Sequence, residues 1–133
     1  IYVDRVGNIF GIRAGAKQTQ PVMIGSHIDT VIGAGILDGC YGVMAALECI
    51  QVLNENKVVT TRPVAVVSFT NEEGVRFQPG MLGSSVYSGL LDSVKAASIV
   101  GVDRSNFGTR TNWVFRSHGA GMDQTECLFG ITY

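Results

Sequence analysis

Two apolar runs that each stop in a cluster of polar side chains, with an amphipathic stretch between them, constrain this chain more than any other feature. Residues 64–69, Val-Ala-Val-Val-Ser-Phe, are rich in β-branched side chains and read as a buried strand. Residues 21–25 form a shorter apolar run that ends in Ser26, His27, Asp29 and Thr30. Between them Val43, Ala46, Leu47, Ile50 and Leu53 recur at helical spacing, which predicts a helix from Gly39 to Asn56 with an apolar face built from those five. Strand, helix and strand make a βαβ unit, whose crossover is nearly always right-handed. The two strands are then parallel, and both polar ends emerge on one edge. His27 and the segment Asn71-Glu72-Glu73-Gly74 can therefore meet in space.

The remainder fits the same class. Tyr2 to Arg5 and Asn8 to Arg13 flank Val6-Gly7 and predict a hairpin. Helices are expected from Gly83 to Leu91, entered at Ser84 or Ser85, and from Ser93 to Val102. The expected fold is α/β, a mostly parallel sheet flanked by helices. With 133 residues, 46% of them hydrophobic and 16% charged, the chain can bury one core, as one domain or part of one. A formal net charge of −1 without a clustered basic stripe gives no footprint for nucleic acid, and no apolar run approaches the roughly 18 residues of a membrane span. A small molecule is the expected partner. Cys40, Cys49 and Cys127 are odd in number and lack Cys-x-x-Cys spacing, so neither a disulfide framework nor a cysteine zinc site is indicated, and a cytoplasmic setting is expected. The chain starts at Ile1 with no signal-like segment, which leads to the expectation that it begins inside a longer protein.

The polar ends carry the chemistry. His27 offers a borderline nitrogen ligand, and Asp38 and Glu73 offer hard oxygens, a mixture that zinc, manganese, cobalt or nickel accepts. In His27-Ile28-Asp29 the aspartate is placed to hold the other imidazole nitrogen, which would fix the tautomer. Adjacent glutamates can divide the labour, one binding metal while the other carries protons. Each residue also has a plainer role: Asp38 stands where it would cap the helix, His27 alone could be a structural histidine, and Glu72 and Glu73 alone could be solvated loop acids. Other catalytic templates fit worse. Gly33-Ala34-Gly35 lacks the third glycine of a dinucleotide loop, and Gly83-Ser84-Ser85-Val86-Tyr87 breaks the nucleophile-elbow pattern at its last position.

Three separated segments in one order carry a resemblance. Gly25-Ser26-His27-Ile28-Asp29-Thr30-Val31, then Gly35-Ile36-Leu37-Asp38-Gly39 with Gly42-Val43, then Phe69-Thr70-Asn71-Glu72-Glu73-Gly74-Val75-Arg76-Phe77 and Gly83-Ser84 resemble the dinuclear amidohydrolases of the M20 peptidase superfamily. Arg76-Phe77 after the paired glutamates is typical of the branch of N-carbamoyl-L-amino acid hydrolases, β-ureidopropionases and allantoate amidohydrolases. The resemblance covers about residues 3–91 and implies a zinc-exopeptidase-like catalytic domain, incomplete here. It implies two divalent ions, zinc or else manganese, cobalt or nickel, with His27 on one, Asp38 bridging both and Glu73 on the other. It also implies Glu72 as general base and Asp29 as the residue orienting His27. The implied reaction is hydrolysis of a linear C–N bond in an N-carbamoyl amino acid or related ureido acid.

Members of this family add two further histidines, one in a His-Ile-Glu-Gln-Gly motif, and a lid domain that mediates homodimerisation; none of these is matched here. His118 lies in a glycine-rich stretch, but Met122 stands where a histidine ligand would be, so His118 is not assigned as one. Residues 109–133 match none of the motifs. A non-catalytic scaffold that keeps the motifs, and a dipeptidase or aminoacylase of the same superfamily, remain as alternatives.

Overall fold

The computed structural model describes residues 1–111; His118, Cys127 and most of the unplaced 109–133 segment lie outside the described residues. Four strands form one sheet: β1 (Tyr2–Val3), β2 (Ile9–Arg13), β3 (Val22–His27) and β4 (Val64–Phe69). Their order is β1-β2-β4-β3. Helix α1 (Cys40–Glu55) links β3 to β4 and packs on both, while α2 (Leu82–Tyr87) and α3 (Ser93–Ser98) follow β4.

The α/β class holds, and β3 and β4 are parallel in the register Val22↔Val64 to His27↔Phe69. The sheet is nevertheless mixed rather than mostly parallel among the described residues. β2 pairs antiparallel with both β1 and β4. The reason is topological: the hairpin docks its second strand on the free edge of β4, and such a long-range pairing has no local signature. The two central strands, β2 and β4, hold the buried Phe10, Ala65, Val66 and Val67. Phe10 stacks on Tyr2 at 4.8 Å between ring centroids and leans on Tyr87 of α2 at 5.5 Å.

Expectations shift in each of the three helices. In α1, Val43, Ala46, Ile50 and Leu53 turn toward the sheet, but Leu47, at the margin of that arc, is exposed. The N-cap of α1 is Gly39, with no side-chain cap, so Asp38 is not the capping residue. Helix α2 starts at Leu82, after Met81 in the left-handed region, rather than at Ser84 or Ser85, and α3 ends at Ser98, four residues short of Val102. At α3 a cap does form: the Asp92 carboxylate accepts from the backbone N–H groups of Val94 and Lys95.

A second core lies beyond the sheet, where Val6 of the hairpin turn, Phe77, Leu82, Ala96 and Phe107 pack together. Phe77 and Phe107 meet edge to face at 5.2 Å. Burying a side chain of this kind stabilises the fold by about 1.5–3 kcal/mol. This cluster roots the loop between β4 and α2, the loop that carries Glu72 and Glu73. No helix among the described residues is long and apolar enough to cross a membrane.

Candidate metal centre

Parallel pairing of β3 with β4 brings the two polar ends together. His27 is the last residue of β3, opposite Phe69, and Glu72 and Glu73 follow three and four residues after that partner. One donor atom each from His27, Glu72 and Glu73 lie within 4.8 Å of one another, and among the described residues this is the group of acidic, histidine or cysteine side chains that could hold a metal ion.

The imidazole is held from two sides. Its Nδ1 lies 2.8 Å from the main-chain oxygen of Asp29 and 3.8 Å from that residue's Oδ1. A carbonyl oxygen only accepts, so Nδ1 carries the hydrogen and donates, which leaves the lone pair on Nε2. That nitrogen lies 3.5 Å from Oε2 of Glu72. Behind the ring stands Gly39, where a Cβ would come within 2.4 Å of both Cε1 and Nδ1 of His27. With φ at 63° this position also requires the left-handed region, so glycine is needed twice over.

The Asp29 carboxylate serves the other arm of the site. Oδ1 accepts from the backbone N–H of Glu72 at 3.2 Å and Oδ2 from that of Glu73 at 3.0 Å. One residue thus ties the imidazole through its carbonyl and the paired glutamates through its carboxylate. Asn71, at φ 51°, steadies the same loop by donating its Nδ2 to the carbonyl of Phe77 at 2.7 Å.

Asp38 is not one of the three converging residues but lies beside Glu73. The proximity of its carboxyl to that of Glu73 is the largest of the causes that raise Glu73 above its ordinary value of 4.5; desolvation and the charges of Asp38 and Glu72 act in the same direction. Two carboxyls in contact, and an imidazole lone pair facing a third, repel unless a proton or a cation lies among them. The donor set therefore fits a divalent cation. Its nitrogen and oxygen atoms suit zinc, manganese, cobalt and nickel, so the set does not choose among them.

A cavity next to the site does not contain this cluster. It has a volume of about 460 Å³ and lies behind Asp29 and Asn71, walled by Val3, Ile9, Phe77 and Phe107. Neither His27 nor either glutamate lines it. Sequence reasoning placed His27, Asp29, Asp38, Glu72 and Glu73 but missed Gly39 and Asn71, whose signals were a glycine directly before a helix and an asparagine directly after a strand.

Comparison with known proteins gives the family. The model of peptidase family M28 matches residues 8–126, and the chain belongs to that family. Its relatives lie in the branch that the motifs resemble. It is 45% identical to an N-carbamoyl-L-amino acid amidohydrolase of Geobacillus stearothermophilus over 92 residues, 68% of this chain and 22% of that protein. It is 41% identical to allantoate deiminase 1 of Glycine max over 93 residues, 68% of this chain and 19% of that protein. A crystal structure of a hydantoinase/carbamoylase family amidase from Burkholderia ambifaria superposes with a TM-score of 0.81 at 46% identity, over 84% of this chain and 28% of that one. The chain thus spans about a fifth of the length of these curated relatives.

Proposed function

We propose that this chain carries part of the metal centre of an amidohydrolase that cleaves the linear C–N bond of an N-carbamoyl amino acid or a related ureido acid. The observation that supports this most is the convergence of His27, Glu72 and Glu73 at the carboxyl ends of two parallel strands, with Asp38 beside Glu73. His27, Asp38 and Glu73 would hold the divalent ions, two in number on this reading. When bound, such ions polarise the ureido carbonyl and acidify a water.

The chain's own residues supply the rest. Glu72 takes a proton from the attacking water and passes it to the departing nitrogen, a role that suits a carboxylate held by its backbone with its side chain beside His27. Asp29 keeps the imidazole in the tautomer that exposes Nε2 and fixes the main chain of both glutamates. The reaction balances with one water: the carbamoyl carbon leaves as carbon dioxide, its terminal nitrogen as ammonia, and the amino acid recovers a free amine. The partner is a small molecule, and the free Cys40 and Cys49 fit a reducing, cytoplasmic setting.

Purified chain supplied with zinc, manganese or cobalt should retain close to two ions and release ammonia from N-carbamoyl amino acids. Glu72→Gln should abolish turnover while keeping the metal. Absence of both metal and ammonia would favour a scaffold that has lost the chemistry, and cleavage of dipeptides or N-acyl amino acids instead would reassign the substrate.

A further inference from the structure

The loop from Thr70 to Gly83 has a closed base. Gly83 N–H donates to the Thr70 carbonyl at 2.9 Å, Leu82 N–H to that of Asn71 at 3.2 Å, and Met81 N–H to that of Glu72. In a regular antiparallel pair, Thr70 N–H and the Gly83 carbonyl would bond each other as well. Here the side chain of Asn8 stands between them. Its Oδ1 accepts from Thr70 N–H at 2.9 Å, and its Nδ2 donates to the Gly83 carbonyl at 3.0 Å.

Asn8 is fully buried and is the buried polar residue of the described chain. Only a primary amide presents an acceptor and a donor side by side in the way this gap requires. The gap is also fitted to it: a Cβ on Gly83 would lie 2.1 Å from Asn8 Oδ1. Asp4 fixes the amide from behind, accepting from Asn8 Nδ2 at 2.8 Å and from Asn8 backbone N–H at 2.9 Å, and its burial raises its pKa above the ordinary 3.8. The hairpin turn is thereby locked to both ends of the loop that bears the paired glutamates.

We infer that Asn8 is a positioning residue for the metal centre: its amide closes the base of the 70–83 loop and so sets Glu72 and Glu73 against Asp29 and His27. The inference deepens the proposed metal-binding role and rests on it for its consequence, but the loop closure can be read without metal. Loss of the amide leaves Thr70 N–H without its acceptor and cuts the tie from that strand end to the Gly83 carbonyl, and the cost falls on the loop first.

The experiment compares the full chain with its Asn8→Ala and Asp4→Asn variants by amide hydrogen exchange without metal and by cobalt(II) titration followed in visible absorption. In Asn8→Ala, exchange across residues 71–82 should accelerate at least about tenfold while α1 keeps its protection, and cobalt affinity should fall about 10–100-fold, as for other groups that orient metal ligands. Asp4→Asn, which leaves the amide in place and loosens only its anchor, should give the same pattern at smaller size. It decides the matter where Asn8→Ala loses its fold. Unchanged exchange in 71–82, or acceleration spread equally over α1 in Asp4→Asn, would overturn the inference, as would undiminished cobalt affinity in a variant whose loop is open. If the unaltered chain takes up no cobalt, the proposed metal site fails, and the exchange pattern alone still decides whether Asn8 positions the loop.

Discussion

The two acidic arms of the site are built in opposite ways. Glu72 and Glu73 sit on a loop rooted by Phe77 and Leu82, which are 5% and 0% exposed, and tied at its base by backbone bonds and the amide of Asn8. Asp38 ends a segment in which Ile32 and Ile36 are 98% and 92% exposed and in which a Cβ on Gly33 or Gly35 would touch nothing. One arm is fixed by its own packing. The other is fixed at its end, by Gly39 against His27 and by the contact of Asp38 with Glu73. A cation bound among these side chains would therefore cross-link a rigid arm to a loose one.

The strongest way to break that contrast is to remove packing from each arm in turn. Leu82→Ala should lower the unfolding free energy by about 3–5 kcal/mol in denaturant titrations, because the side chain is fully enclosed, whereas Ile36→Ala should stay within about 0.5 kcal/mol. Comparable losses would mean that the 31–37 segment is packed after all. Metal tests the cross-link next. At one hundred times its dissociation constant a divalent ion should add about 2.7 kcal/mol, reversed by chelator, and amide exchange should slow more in residues 31–39 than in 71–83. Equal slowing in both arms would remove the distinction.

Gly39→Ala attacks the joint between the arms. Its φ of 63° costs a side chain roughly 1–2 kcal/mol, and the new Cβ would displace the His27 ring. Thermal melts should show the first effect, and imidazole NMR shifts together with weakened cobalt uptake the second. The smallest effect is electrostatic. In the metal-free chain the Glu73 carboxyl should titrate above 4.5, and Asp38→Asn should bring it back toward that value, since Asp38 is the largest cause of the rise. The sign follows from proton binding: the folded state holds this proton more tightly than the unfolded one, so the group favours folding as pH falls from the raised midpoint toward 4.5 and opposes it above that window. Carbon-13 shifts of the carboxyl would show both midpoints.

Much of this geometry was legible from local signals. The β-branched run marked β4 at its observed bounds, helical spacing located α1 to within a residue at each end, and the handedness of a βαβ crossover placed His27 beside the paired glutamates. What escaped was set by tertiary contact. Nothing in residues 9–13 announces that they insert antiparallel between β1 and β4. Asp38 has the propensity of a cap, yet the helix starts from Gly39 because the imidazole leaves no room for a Cβ there. Asn8 reads as an ordinary turn residue until Thr70 and Gly83 come to lie on either side of its amide.

Anomalous X-ray scattering from crystals of the chain grown with zinc would test the convergence of the two arms most directly. Zinc is expected at about 2.0–2.1 Å from His27 Nε2 with a carboxylate oxygen of Asp38 on the same ion, Glu73 on a second ion beside it, and Glu72 Oε2 outside bonding distance of both. Zinc bound elsewhere, or Asp38 turned to solvent while the ion is held by other groups, would contradict it.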